Sequence, residues 1–203
     1  MSLLDLLKAE AVKRGVIAFS DQLDPATVFR LVRDMPYQRA SDRTPETTIR
    51  EWRGTCSGKH YLLKELFDEL GLKSTLIACT SITPVEPQEI SEGLFELYDA
   101  ANRHFVDVHN YLILAVPGNG QMIVDATWPL SAFGAGLVVN EEFVLGQDQE
   151  IATEPLQTWI VPQSIDAQAF KDYLLHEHFT PAELAFREIV ITALSAQDTN
   201  TES

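Results

Sequence analysis

The chain is poor in cysteine and in positive charge. Cys56 and Cys79 are the only two cysteines among 203 residues. They form no Cys-x-x-Cys pair, so neither a disulfide framework nor a paired-thiol zinc site is expected. Lys and Arg number 15 against 30 Asp and Glu, a formal net charge of −15 with a sequence pI of about 4.6. No basic face is available to neutralise phosphates, which argues against a nucleic-acid partner, and the plain meaning of the charge is solubility. Long apolar runs are also missing, so no membrane partner is expected. The start, Met1-Ser2-Leu3-Leu4-Asp5-Leu6-Leu7-Lys8, lacks the basic opening and unbroken apolar core of a secretory signal. A cytoplasmic location is the expectation. Internal repeats and low-complexity tracts are absent.

What the chain does have is 45% hydrophobic content, enough to bury one core. We expect one domain over 1–194, with its core at about 50–129, and a frayed polar tail over 195–203. Leu3 to Arg14 and Pro25 to Arg33 read as helices, the second capped by Asp24. Glu46 to Arg53 reads as a short helix opened by Thr44 as cap and Pro45 at its first position. Ser74 to Thr80 reads as a strand in which Cys79 is a small core residue. Pro84 to Asn102 is an acidic insertion, either a solvated helix and loop or a lid. Ser131 to Glu154 is a candidate cleft wall, and Asp166 to His176 and Pro181 to Leu194 are closing helices.

The chemistry concentrates at Cys56, in Gly54-Thr55-Cys56-Ser57-Gly58-Lys59-His60. From there Tyr61, Leu62, Leu63, Leu66, Phe67 and Leu70 recur at helical spacing, and Gly71 supplies the stop. The thiol is therefore expected at a helix N-terminus, where unpaired N–H groups favour thiolate and Lys59 and His60 add positive charge. The alternative is a buried structural cysteine, a common fate of free thiols.

Val108 to Val116 reads as a strand with His109 at its start, and Gln121 to Pro129 as a second strand with Asp125 near its end. Pro117-Gly118-Asn119-Gly120 supplies the turn between them. If Val116 to Gly120 form the loop, Ala115 faces Gln121 and Tyr111 faces Asp125. His109 and Asp125 then become diagonal neighbours on one face, roughly 7–8 Å apart at the backbone. A slip of one residue would separate them.

A thiolate nucleophile, an imidazole to carry its proton and a carboxylate to fix the imidazole are what acyl transfer through a thioester requires. Gly54-Thr55-Cys56 leading a Leu-rich helix, a strand-borne His109 and Val124-Asp125-Ala126-Thr127-Trp128-Pro129 together resemble the transglutaminase-like superfamily, over roughly Arg50 to Pro129. The resemblance implies a papain-like α+β core, with the catalytic helix packed on an antiparallel sheet between flanking N- and C-terminal helices. It implies Cys56 as nucleophile, His109 as general base and acid, and Asp125 as orienter, with the Cys56 N–H in the oxyanion hole. Trp52, Thr55 and Tyr111 are candidate substrate contacts. Many members place Ala and an aromatic residue after the histidine, where this chain has Asn110 and Tyr111. Arylamine N-acetyltransferases share the triad, but Arg53-Gly54-Thr55-Cys56 matches their Arg-Gly-Gly-x-Cys motif only in part.

The expected function is a cysteine-dependent acyl-transfer enzyme that hydrolyses an amide or peptide bond through an acyl-Cys56 intermediate, acting on a small molecule or peptide with an amide or thioester carbonyl. The alternatives are a non-catalytic ligand- or peptide-binding member of the same fold, and an acyltransferase that uses an amine in place of water. No cofactor and no metal are expected.

Several nearby features are set aside. Gly54 to His60 imitates a phosphate-binding loop, but three residues separate its glycines and His60 stands where Ser or Thr should meet magnesium. His176 and His178 point apart on a helix and make no metal pair. His104 has Asp107 as a local partner, a lesser candidate for the base. His60 is kept as a neighbour of the thiol that its spacing prevents Asp125 from orienting. Tyr37, Trp52 and Trp128 are cleft aromatics or, more simply, core.

Overall fold

The computed structural model describes residues 1–118 and 120–197. Among them the architecture is α+β, with seven α-helices and a four-stranded antiparallel sheet. The chain divides into two compact units. One comprises Met1–Ile77 and Asn110–Ala152, the other Ala78–His109 and the chain from Thr153 onward. No described helix is long and apolar enough to cross a membrane.

The first unit holds α1 (Leu3–Lys13), α2 (Pro25–Arg33), α3 (Pro45–Glu51) and α4 (Cys56–Glu69). Local chemistry sets their starts. Asp24 accepts the Thr27 N–H at 2.7 Å and Thr44 accepts the Thr47 N–H at 3.3 Å, each followed by Pro at the first helical position. Ser2 and Asp5 form a capping box on α1. The free N–H groups of Leu3 and Leu4 reach the Glu69 carboxylate at 2.8 and 2.9 Å, which ties the start of α1 to the end of α4. Gly71, at φ +76, takes the left-handed conformation that ends α4. Leu62, Leu63, Leu66 and Phe67 of α4 are fully buried, each contributing about 1.5–3 kcal/mol by leaving water.

The glycines flanking Cys56 serve helix packing. A Cβ on Gly54 would sit 3.2 Å from both Thr48 Cγ2 and Lys59 Cγ, and one on Gly58 would sit 3.3 Å from Thr48 Oγ1. Both positions let α3 lie close against α4, which accounts for the spacing that imitates a phosphate loop.

Strands β1 (Ser74–Pro84) and β2 (His104–Val116) run through both units. In the first unit β3 (Gly120–Val124) lies beside β2, and β2 beside β1. Ala115 pairs with Gln121, and the antiparallel ladder runs from Val116↔Gly120 to Leu112↔Val124, the register expected from the turn. Asn119 of that turn lies outside the described residues. Strand boundaries differ from expectation, β1 running on past Thr80 to Pro84. Phe105 and Val106 extend β2 back to His104, so His109 sits inside the strand and not at its start. β3 stops at Val124 because the Asp125 N–H turns to the Gln149 side chain at 2.9 Å.

In the second unit β4 (Gln157–Ile160) lies beside β1, which lies beside β2. It is entered by a Leu156 N–H to Thr80 O bond of 2.9 Å. The insertion after β1 contains two short 3-10 turns and α5 (Phe95–Ala100). Its Tyr98 is buried with Ala101 and Phe186 and donates its hydroxyl to Val85 O at 2.6 Å. This anchors α5 to α7 (Pro181–Gln197). Asp166 caps α6 (Ala167–His178) through the Ala169 N–H at 2.8 Å. The expected tail begins too early. Ser195 to Gln197 continue α7, where no Gly or Pro stops the helix, and 198–203 lie outside the described residues.

Candidate functional site

Cys56 is the first residue of α4, as the sequence predicts, and is 2% exposed. Thr55 occupies the N-cap but makes no side-chain capping bond, so it does not quench the first-turn N–H groups. Ser57 Oγ lies 3.9 Å from Cys56 Sγ. It donates to Asn110 Oδ1 at 3.0 Å, and Asn110 Nδ2 in turn donates to Ile77 O at 3.2 Å. This buried chain fixes the first turn of α4 to β2 and β1.

Lys59 is anchored by backbone carbonyls from two other segments. Its side chain is fully buried and its ammonium donates to Arg33 O at 2.8 Å and Thr127 O at 2.9 Å. The charge is thus committed to the last turn of α2, where carbonyls accumulate, and to the segment after Asp125.

Asp125 is 1% exposed and tightly held. Oδ1 accepts from the Thr127 N–H at 3.0 Å and the Thr127 hydroxyl at 2.6 Å, and Oδ2 accepts from the Ala152 N–H at 2.8 Å. The Thr127 bonds make an Asx-type turn, the local reason the chain leaves the ladder here. Asn140 adds a staple, with Nδ2 donating to Asp125 O at 2.9 Å and to Glu150 O at 2.8 Å. The segment named as a cleft wall therefore wraps and fixes the carboxylate.

His60 lies nearer to Asp125 than its spacing along α4 suggests. It is fully buried, and its Nε2 lies 3.6 Å from Asp125 Oδ1. Its Nδ1 bonds Cys56 O at 2.7 Å, while Nε2 accepts the Ala126 N–H at 2.9 Å. The curl of the chain after Val124 brings Asp125 back over α4, which strand spacing alone does not reveal. Cys56, His60 and Asp125 are thus assembled within one unit. Sequence reasoning missed Ser57, Asn110, Gln149 and Ala152 as supports. Only Ser57 carried a signal, by its place beside the thiol.

His109 belongs to the second unit and is 4% exposed. The two-residue period of a strand puts it on the face of β2 that Asp107 and Tyr111 share. Asp107 does not pair with His104 as the lesser reading had it. It is buried and accepts Arg187 Nε and Nη2 at 2.8 and 2.6 Å, with Lys171 Nζ at 3.5 Å. His104 and Asp107 have opposite parity along β2 and so take opposite faces. Burial pushes the Asp107 carboxyl up. The charges of Lys171 and Arg187, the Arg187 hydrogen bonds and the His109 charge outweigh it and hold the pKa below the ordinary value.

Of the candidate substrate contacts, Thr55 is half-buried beside Cys56 and Tyr111 is buried on β2. Trp52 ends α3 in the left-handed conformation at φ 56, with the Arg14 guanidinium 5.3 Å from its ring centre. Tyr37 and Trp128 pack together with ring centres 4.3 Å apart. His176 Nδ1 bonds Asp172 O at 2.7 Å and His178 packs on Trp159. Compared with protein-family models, with curated proteins and with solved structures, the chain matches none.

Proposed function

We propose that this chain is a thiol-dependent acyl-transfer enzyme of the transglutaminase-like type, hydrolysing an amide or peptide bond through an acyl-Cys56 intermediate. In this reading Cys56 attacks the carbonyl, His109 takes the thiol proton and returns it to the leaving amine, and Asp125 holds the imidazole. Water then cleaves the thioester. The observation that carries the reading is the lacing of the Cys56 helix, through His60 to the Ala126 N–H and through Lys59 to Thr127 O, to the turn that carries the buried Asp125 carboxylate. The hairpin register supports it, since the ladder runs to Leu112↔Val124 and so delivers Asp125 as the first residue beyond the end of β3. The uncapped start of α4 favours a thiolate. His60 is not the base in this scheme, because both of its ring nitrogens are engaged by backbone groups.

The test uses p-nitrophenyl acetate as an activated acyl donor. The parent is expected to release nitrophenolate and to carry an acetyl group on the Cys56 peptide by mass spectrometry, and Cys56→Ala to do neither while remaining folded. Retained turnover in Cys56→Ala refutes the reading. Burial of Cys56 at 2% exposure favours a second one, a non-catalytic member of the fold that binds a ligand or peptide. That protein would leave the Cys56 peptide unacetylated.

A further inference from the structure

We propose that His60 is a positioning residue for Cys56: a neutral imidazole, protonated on Nδ1, that ties the nucleophile's own carbonyl to the amide following Asp125. A carbonyl oxygen can only accept and an amide N–H can only donate. The 2.7 Å bond to Cys56 O therefore requires hydrogen on Nδ1, and the 2.9 Å bond from Ala126 N–H requires a bare Nε2. A second proton would set N–H against the Ala126 N–H in a site with no exposure, at the cost of an unmade buried hydrogen bond. The charged group facing Nε2, Asp125 Oδ1, lies 3.6 Å away, beyond hydrogen-bond distance, and already accepts two bonds from Thr127. The inference rests on Cys56 being the nucleophile.

The consequence is geometric. His60 lies one turn along α4 from Cys56, so its Nδ1 bond falls on the carbonyl of the thiol-bearing residue. The far side of the same ring grips the backbone between Asp125 and Thr127, where Lys59 also holds Thr127 O. The start of α4 and the carboxylate-bearing turn therefore move as one body. Without the ring, the Ser57–Asn110 bond and the Lys59 contacts remain, so the fold has other ties and the loss falls on the alignment of the thiol.

Two measurements test this without substrate. In side-chain ¹H–¹⁵N correlation spectra of the full chain, His60 is expected as the Nδ1–H tautomer, unchanged through the range near pH 6.5 where a free histidine titrates. An Nε2–H tautomer, or titration in that range, overturns the proposal. In the second, iodoacetamide alkylation of Cys56 is followed against pH in the parent, His60→Leu, His60→Gln and His109→Ala. His60→Leu is expected to slow alkylation at neutral pH by roughly tenfold or more, and His60→Gln, which can still accept from Ala126, to recover part of that loss. If His60→Leu keeps the parent profile while His109→Ala loses it, His60 is merely structural and the nucleophile reading stands. If the parent itself reacts as an ordinary thiol indifferent to His109, the nucleophile reading fails, and this proposal fails with it. Should His60→Leu not fold, the tautomer and His60→Gln decide the question.

Discussion

His60 Nε2 and Asp125 Oδ1 stand 3.6 Å apart, both fully buried and beyond hydrogen-bond distance. The ring nitrogen facing the carboxylate already accepts the Ala126 N–H and carries no hydrogen. The carboxylate takes its bonds from Thr127 and Ala152 instead. Asp125 is thus held by Thr127 beside it and by Ala152 from the segment that wraps it.

Asp125→Asn should therefore destabilise the protein. An amide offers one acceptor oxygen where the carboxylate uses two, and its NH₂ group would face an N–H or O–H donor. We expect a loss of about 1–3 kcal/mol in urea unfolding, with His60 keeping its tautomer. An unchanged midpoint would show that the three bonds contribute nothing net.

In the second unit, Asp107 sets an acid limit. Its carboxyl is held below the ordinary value by Lys171 and Arg187 against the upward push of burial. A folded pKa below the unfolded one means the contribution is complete above about pH 4 and is lost as pH falls through the folded value. Asp107→Asn should cost about 3–5 kcal/mol at neutral pH, because two buried cations lose their counter-charge, and should make the acid loss of stability shallower. Urea titrations at a series of pH values check both. A variant that keeps the parent's acid slope contradicts the assignment.

Thr48 offers a stabilising substitution. Its Oγ1 is buried against Gly58 and has no hydrogen-bond partner among the described residues. Thr48→Val replaces that hydroxyl by a methyl group of similar size and should raise stability by about 1 kcal/mol, since an unsatisfied buried hydroxyl costs about 1–3 kcal/mol. Thermal melting reads the shift, and a lowered midpoint would mean the hydroxyl is satisfied in solution.

Much of the scaffold is legible in the residues themselves. Asp24-Pro25, Thr44-Pro45 and Asp166 announce helix starts because capping is local chemistry, and Gly71 marks a stop for the same reason. The β2–β3 register follows from the short turn. The chain's return over α4 after Val124 was not legible, because it depends on Gln149, Asn140 and Ala152 reaching back across more than a dozen residues. Lys59 shows the same limit: its sequence neighbours suggest a cation beside the thiol, but the carbonyls that capture it come from α2 and from Thr127. β4 went unread because Gln157 to Ile160 is too short to show a clear period.

The central claim is a paired, activated thiol, and it is tested most directly by the pH dependence of iodoacetamide alkylation at Cys56, read by peptide mass spectrometry in the parent and in His109→Ala. The account predicts that Cys56 reacts well below the ~8.5 pKa of a free thiol and that removing His109 abolishes this early reactivity. An inert Cys56, or one that reacts as an ordinary thiol whether or not His109 is present, contradicts it.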